Sequence, residues 1–281
     1  MRLDLKRWQG DGIFTASHGA MIAQYQLDRR EQEDAAGTGH NGDDYAFVVC
    51  DGMGGHDEGA KASAVAVSAF LTTVLTSPAD PRVRLDKAVR AADKAVRKLS
   101  GRRRPGSTLV GVLVTAEVIA FAHVGDSRAW VALPGDDCLL QVTRDHNVAE
   151  DLRSRGGPPG YGSNVLTRAL GIGNEPAQPE VRVFARAEVR VVLLASDGLH
   201  GALARRLDHD EGAVEAAIRP GGLTPPNKSE WLSRMYRGVA SGAGTYQLDN
   251  LTMLAWLNDA ALPDVEHPLE RVVERVTLPR A

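Results

Sequence analysis

The sequence contains only two cysteines, Cys50 and Cys138, among its 281 residues, and it has no Cys-x-x-Cys pair. Two thiols cannot form a disulfide framework, and the missing pair argues against a thiolate zinc site. Reduced thiols are the normal state of cysteine in the cytoplasm. We therefore expect free thiols, a buried structural role for Cys50 in a strand, and a cytoplasmic location.

The sequence also has no excess of charge of one sign and no long hydrophobic run. A formal net charge of −3 at pH 7 gives no reason to expect nucleic acid or an anionic membrane as a partner. The first residues lack the apolar core of a signal peptide, and no segment approaches the length of a membrane span. The GxxxxGK[ST] phosphate loop and the D-x-[DN]-x-[DN]-G calcium loop are missing, which disfavours both kinds of site.

The composition is that of a globular protein, with 43% hydrophobic and 25% charged residues. Valine-rich apolar runs predict strands at 45–50, 107–116, 118–125, 128–134, 189–196 and 250–257. The second, third and fourth of these runs are separated by very short breaks, so we expect an antiparallel meander. Apolar residues at spacings of three and four predict helices over 58–76 and 83–100, and shorter helices are expected near 211–219 and 229–241.

Strand groups that alternate with helix pairs favour an α+β domain with sheets inside and helices outside. Because the sequence has no repeat and no linker, we expect a single domain over residues 1–258. The remaining tail, 259–281, is expected to cap the domain or dock on it. Two segments rich in glycine and proline, 153–164 and 219–227, are predicted to be surface loops.

Aspartates mark the ends of four apolar runs. Asp51, Asp126 and Asp197 close or follow a predicted strand, and Asp249 precedes one. A single aspartate beside glycine is usually a turn residue, but the sequences after Asp51 and Asp197 continue into helical patterns rather than a second strand. Converging carboxylates repel one another unless a cation lies between them. Oxygen ligands without histidine suit magnesium or manganese better than zinc.

Seven motifs carry a family resemblance: DGMGGHDEGAKAS, GSTLVGVLV, HVGDSRAW, VTRDHN, NVLTRALG, LLASDGL and DNLTML, in this order. Together they resemble the metal-dependent protein phosphatases, the type 2C or PPM serine/threonine phosphatases, in their bacterial form. The match runs from about residue 17 to residue 257. The resemblance implies a four-layer αββα sandwich, with two central antiparallel β-sheets flanked by helix pairs and a binuclear metal centre at one end.

The resemblance also implies a ligand set for two Mn²⁺ or Mg²⁺ ions. Asp51 would bridge the two ions, and the carbonyl of Gly52 would complete the shell of one of them. Asp197 and Asp249 would hold the other ion, while Asp126 together with Asp197 would form a weaker third site. Glycine suits such a position because no Cβ blocks the approach of a backbone oxygen to a metal.

The implied reaction is direct hydrolysis of phosphoserine or phosphothreonine without a phosphoenzyme. Two ions about 3.5–4 Å apart can share a water, lower its pKa and present hydroxide in line with phosphorus. Arg29 matches the phosphate clamp of an Arg-x-x-x-Glu-Asp element, in which Glu33 and Asp34 would orient metal-bound waters. Arg30 is an alternative clamp, and a solvated charge run is the alternative explanation of the whole element. Arg29, Asp34 and Asp51 are thus the predicted catalytic residues.

Met53 stands where eukaryotic relatives have a histidine that has been proposed as the general acid. Methionine cannot donate a proton, so the resemblance leaves the acid unassigned, and His56 is expected to be structural. The segment 147–164 takes the place of the family's flap. Its residues Arg153 and Arg155 either recognise an acidic phosphopeptide or only keep a mobile loop soluble.

Phosphorylated proteins are the implied partners, and a cognate kinase is left open. We expect a monomer. One alternative function is a binding protein that keeps the fold without turnover, but such members typically lose a metal aspartate, and all four are present here. Another alternative keeps the enzyme and replaces the phosphoprotein with a small phosphorylated metabolite.

Overall fold

The computed structural model describes residues 4–8, 11–54, 57–100, 104–136, 138–156, 162, 164–207, 211–220, 227–245 and 247–258. Two antiparallel sheets form its centre. The first contains, in spatial order, β1 (Asp4–Trp8), β4 (Asp34–Asn41), β5 (Asp44–Met53), β7 (Leu109–Val114), β8 (Val118–Val124) and β11 (Glu180–Ala185), and the short β6 (Gly106–Ser107) pairs with β5. The second contains β10 (Leu140–Gln141), β9 (Arg128–Ala132), β12 (Val191–Ala195), β13 (Leu251–Leu257), β3 (Met21–Tyr25) and β2 (Gly12–Thr15).

Helices cover the outer faces of both sheets. The first sheet carries α1 (Asp57–Thr76) and α2 (Pro81–Arg97), and the second carries α4 (Asp197–Arg206), α5 (Glu211–Ile218) and α6 (Lys228–Ala240). A further short helix, α3 (Val148–Arg153), follows β10. The predicted α+β sandwich is confirmed, as are the four predicted helices.

The central strands are apolar throughout because both of their faces are buried. In β12, Val192 and Leu194 point into the core between the two sheets, while Val191 and Leu193 point toward the outer helices. Strand residues alternate between faces, so a strand in the middle of a layered sandwich needs a continuous apolar run. This explains why runs rather than alternating patterns marked these strands in the sequence.

Helix α1 corrects one expectation from the sequence. By length and composition this helix is apolar enough to cross a membrane, although no such run was expected. In the structure more than half of its apolar stretch is buried, and Val67, Phe70 and Leu71 pack in the core beneath the first sheet. A core helix that is covered by neighbours has the same composition as a membrane span.

The predicted three-stranded meander is wrong in its last strand. Strands β7 and β8 pair with each other, but β9 joins β10 and β12 in the second sheet. The chain crosses between the sheets at Gly125–Ser127, and this crossing places Asp126 at the end of the sandwich. Strong apolar patterns identify strands but do not say which sheet they join.

Several strands gave no usable sequence pattern, and some predictions fall on residues that the structure leaves out. Strand β4 has the sequence DAAGTGHN, in which glycine and alanine mask the strand. The first residues of the predicted flap form α3, which overlaps the predicted loop 153–164 only at Arg153. His56, residues 157–161 of the flap, residues 221–226 of the second predicted loop, and the tail 259–281 lie outside the described residues.

Candidate metal centre

The two sheets bring carboxylates to the same end of the sandwich. Asp34 begins β4 and lies directly opposite Asp51 of β5 in the antiparallel register. From the second sheet, Asp197 follows β12 at the start of α4, and Asp249 precedes β13. Desolvation, together with repulsion by Asp34, Asp197, Asp249 and Asp126, raises the pKa of Asp51 well above its usual range. These aspartates therefore form one cluster around Asp51.

Asp34 is the most deeply buried member of this cluster, with 1% of its surface exposed. Its Oδ2 accepts a hydrogen bond of 2.7 Å from Oγ of Ser196, and its backbone N–H donates to Oε1 of Gln32. Burial raises the pKa of Asp34 to about 7, and the charges of Asp249 and Asp197 act in the same direction. In the absence of a cation, Asp34 is thus only partly ionised at neutral pH.

Asp249 lies at an open side of the cluster, with 28% of its side chain exposed, whereas Oδ1 of Asp197 is buried. Burial and the charge of Asp249 raise the pKa of Asp197 to about 6. Nη2 of Arg29 donates a hydrogen bond to Oδ2 of Asp249, and 42% of the Arg29 side chain is exposed. The predicted phosphate clamp therefore lies at the rim of the cluster, with its guanidinium between Asp249 and solvent.

Asn250 and Thr108 support the cluster, although the sequence gave no reason to select either. The side chain of Asn250 accepts from the N–H of Glu33 at 2.8 Å and donates to the carbonyls of Gln26 and Glu31, both at 3.0 Å. It thereby fixes the segment that carries Arg29 and Glu33.

Thr108 connects the Asp51 strand to the crossing that carries Asp126. Its Oγ1 accepts from the N–H of Asp51 at 3.0 Å and lies 2.7 Å from Oγ of Ser127. Asp126 itself is 6% exposed, and burial and the nearby Asp197 raise its pKa well above the usual range. Thr108 therefore fixes the backbone of two predicted ligands relative to each other.

The donor set fits a hard divalent cation. Oδ1 of Asp34 and Oδ1 of Asp197 are buried, and no described residue donates a hydrogen bond to either oxygen. Buried carboxylate oxygens without partners are costly, and cations in the cluster together with the water they carry would satisfy both oxygens and offset the repulsion within the cluster. Carboxylate oxygens as ligands favour magnesium or manganese.

The cysteines do not take part in this chemistry. Cys50 is buried beside the cluster, and burial raises the pKa of its thiol well above the usual range, so it is not a thiolate nucleophile. Cys138 is exposed and precedes Arg144 with the Cys-x5-Arg spacing, but strand β10 lies between them instead of a phosphate-binding loop. The expected free thiols and the buried position of Cys50 are confirmed.

A family model described as protein phosphatase 2C matches residues 28–234, which make up most of the chain and include every member of the carboxylate cluster except Asp249. The chain belongs to the protein phosphatase 2C family. It is therefore an enzyme, a phosphoprotein phosphatase, and the resemblance that the sequence motifs carried is confirmed.

Individual relatives of this phosphatase agree with the family assignment. It is 31% identical over 203 residues to a serine/threonine phosphatase of Listeria innocua, a match that covers 64% of this chain and 78% of the relative. It is 30% identical over 222 residues to the serine/threonine protein phosphatase PstP of Mycobacterium tuberculosis, covering 74% of this chain but 39% of that protein. A crystal structure of the PstP catalytic domain with two manganese ions superposes with a TM-score of 0.65 at 24% identity, covering 90% and 98% of the two chains.

The glycines of the phosphatase motif permit a close approach between backbones. A Cβ added to Gly52 would lie 2.0 Å from the carbonyl oxygen of Gly59 in α1 and 2.7 Å from that of Glu33. The first turn of α1 can therefore reach the end of β5 only if residue 52 is glycine. The metal-ligand role of the Gly52 carbonyl stays a prediction.

Position 198 must also be glycine because of a close backbone contact, and Gly201 of the same helix offers a comparison. A Cβ at Gly198 would lie 1.9 Å from the carbonyl oxygen of Asn250, whereas the nearest atom to a Cβ at Gly201 is Nη1 of Arg205 at 4.0 Å. We expect Gly198→Ala to lower the free energy of unfolding by about 3 kcal/mol and to abolish activity, because it pushes Asp197 and Asn250 apart.

Gly201→Ala is the matched control. Alanine is the better helix former, so this variant should gain about 0.5–1 kcal/mol and keep full activity. Urea unfolding and phosphatase assays of the two variants check both statements, and equal stability of the two variants would contradict the close contact at Gly198.

The structure places Met53 at the end of β5, paired with Gly106 of β6. Met53 lies two residues after Asp51 on this strand, and which group serves as the general acid stays open. In the flap, Nε of Arg153 pairs with Glu150, and Arg155 is exposed. Recognition of an acidic peptide by these arginines stays a prediction.

Proposed function

We propose that the protein is a Mn²⁺- or Mg²⁺-dependent serine/threonine phosphatase that removes phosphate from phosphoserine and phosphothreonine in proteins. The observation that carries this proposal is the buried carboxylate cluster, in which oxygens of Asp34 and Asp197 have no donor among the described residues. The names of the Listeria and Mycobacterium relatives support the substrate class, and the two manganese ions of the PstP structure support the metal.

In this proposal Asp51, Asp197, Asp249 and the carbonyl of Gly52 would hold two cations. Asp126 and Asp197 would hold a third cation more weakly. Bound in this cluster, two divalent cations would lower the pKa of a shared water for direct attack on phosphorus and neutralise the phosphoryl oxygens.

The chain's own residues orient the reactants. The Arg29 guanidinium, half-exposed beside Asp249, binds the substrate phosphate through paired N–H donors. Asp34, whose Oδ2 is held by Ser196, directs its other oxygen toward the attacking water, and Glu33 assists it. Met53 donates no proton, so the leaving serine or threonine oxygen takes its proton from another group.

Metal dependence is the direct test of this function. Hydrolysis of a phosphothreonine peptide with Mn²⁺ should fall by about a thousandfold in excess chelator and return when Mn²⁺ is added back, because the cations stabilise several kcal/mol of transition-state charge. Sugar phosphates serve as the comparison substrates for a metabolite phosphatase. Turnover that survives chelation would refute the proposal, and a higher catalytic efficiency on sugar phosphates would change the substrate class.

Four predictions from the sequence stay predictions: the cytoplasmic location, the monomeric state, the single domain over 1–258 and a cognate kinase.

A further inference from the structure

A buried histidine outside the carboxylate cluster holds the backbone that carries Asp126. His146 is 4% exposed, and its backbone N–H donates to the carbonyl of Gly125 at 2.9 Å. In return, the N–H of Gly125 donates to Nδ1 of the His146 ring at 3.1 Å. One residue thus binds both backbone groups of the residue immediately before Asp126.

Gly125 itself has little freedom to move. Its φ of +107° lies in the region that favours glycine, and a Cβ added there would lie 2.7 Å from Cβ of Thr108. On the other side of Asp126, Oγ of Ser127 lies 2.7 Å from Oγ1 of Thr108. The crossing between the sheets is therefore fixed on one flank by Thr108 and on the other by His146.

Glu180 selects the form of the His146 ring that can do this. A backbone N–H can only donate, so Nδ1 must accept and the ring proton is on Nε2. Oε1 of Glu180 lies 3.1 Å from Nε2 and accepts a hydrogen bond from this N–H group. The hydrogen bond from His146 lowers the pKa of Glu180 to about 2, so this acceptor is a carboxylate across the physiological range.

The same residues do not make a convincing second metal site. Ligand atoms of His123, His146 and Glu180 lie within 4.8 Å of one another. However, Nε2 of His123 donates to the carbonyl of Arg144 at 2.7 Å, both ring nitrogens of His146 are engaged, and Nη1 of Arg168 lies 3.4 Å from Nε2 of His146. A guanidinium already occupies the place beside the ring where a cation would bind.

We propose that His146 is a positioning residue for the third, weaker cation site, and that it acts by fixing Gly125 and hence Asp126. The inference rests on the proposed function, because it requires Asp126 and Asp197 to bind Mn²⁺. Residues that orient metal ligands through hydrogen bonds typically change metal affinity by about 10- to 100-fold when they are replaced.

Two amide substitutions distinguish the roles of the two ring nitrogens of His146. His146→Asn keeps an acceptor near the position of Nδ1, whereas His146→Gln keeps a donor near Nε2 and removes the acceptor for Gly125. Calorimetric titration of the full chain with Mn²⁺ measures the affinities of its cation sites. The weak class of sites is defined as the binding that Asp126→Asn removes, and the tight class is the binding that remains. We expect His146→Gln to weaken that class about tenfold without changing the tight class, and His146→Asn to stay within about threefold of the unmodified protein.

His123→Gln is the matched control, because this equally buried ring stacks on His146 at 4.6 Å and bonds to Arg144 instead of Gly125. It should leave the weak class unchanged. Equal effects of His146→Gln and His146→Asn, an unchanged weak class in His146→Gln, or an isotherm that Asp126→Asn does not alter would each overturn the inference.

A further variant applies if His146→Gln does not fold. Glu180→Ala changes a partly exposed position and releases the ring proton of His146, so it should weaken the same class about threefold, and an unchanged affinity would overturn the inference. Failure of the proposed function looks different, because the unmodified protein would then bind no Mn²⁺ and show no metal-dependent hydrolysis. Normal tight binding and normal hydrolysis with an unaffected weak class would remove only the role of His146.

Discussion

Asp51→Asn is expected to abolish phosphatase activity while it stabilises the metal-free protein. Asp51 is the member of the cluster that faces all of the others, and desolvation and repulsion raise its pKa well above the usual range. An acid whose pKa rises on folding destabilises the folded state at any pH above its unfolded pKa, which includes neutral pH. A neutral amide of the same shape removes that repulsion and also removes a carboxylate that is proposed to hold the cations.

The two effects can be measured separately. Activity on a phosphothreonine peptide should fall by about a thousandfold or more, because several kcal/mol of transition-state stabilisation is lost. The chelated protein should unfold about 2–4 °C higher than the unmodified one, which corresponds to about 1 kcal/mol in a chain of this size. Addition of Mn²⁺ should raise the unfolding temperature of the unmodified protein far more than that of the variant.

Asp86→Asn is the control, since this half-exposed aspartate on α2 lies away from the carboxylate cluster and pairs with Arg90 of the same helix. It should change neither activity nor stability by a measurable amount. A metal-free Asp51→Asn protein that is less stable than its parent would show that the carboxylate supports the fold by itself. Retained activity would show that the catalytic cations lie elsewhere.

Arg29→Ala is expected to lower kcat/KM for phosphopeptides about 100-fold and to leave the fold intact. Two charge-assisted hydrogen bonds to a phosphate are each worth about 1.5–3 kcal/mol, which is a factor of ten or more apiece. The side chain is 42% exposed, so its removal leaves no buried cavity. Arg29→Lys should recover only part of the loss, because an ammonium cannot bind two phosphate oxygens in the fork geometry of guanidinium.

Arg30→Ala decides between the two candidates for the clamp. Arg30 is also exposed and adjacent in sequence, but the hydrogen bond to Asp249 belongs to Arg29. Steady-state kinetics on one phosphopeptide should show near-normal values for Arg30→Ala and a large defect for Arg29→Ala. The reverse pattern would assign the clamp to Arg30, and two small defects would support a solvated charge run.

The sequence predicted those parts of the fold in which both faces of an element are buried or in which a helix has a continuous apolar stripe. Strands β5, β7, β8, β9, β12 and β13 and helices α1, α2, α5 and α6 all have such patterns. Strand β4 was not predicted, because its small residues have no strand pattern and only its pairing with β5 makes it a strand. The sheet that β9 joins depends on the conformation of Gly125, which a hydrophobic pattern does not report.

Some residues of the candidate site were likewise predictable from the sequence and others were not. The aspartates at the ends of strands were visible in the sequence because each one interrupts an apolar run. Thr108, Ser196, Asn250 and His146 were not selected, because a hydroxyl, amide or imidazole beside a motif looks the same whether it bonds to a ligand residue or to water. Their partners come from distant parts of the chain, and only the packing of the two sheets brings them together.

The position of β13 has a consequence for synthesis of the protein. This last described strand does not lie at an edge: it is inserted between β12 and β3, and Asp249 lies two residues before it. The second sheet therefore remains split on the ribosome until residue 257 has emerged, even though β3 is made near the beginning of translation. The nascent chain cannot dephosphorylate anything during that interval, and a chain that terminates before residue 251 would carry most of the motifs and no working centre.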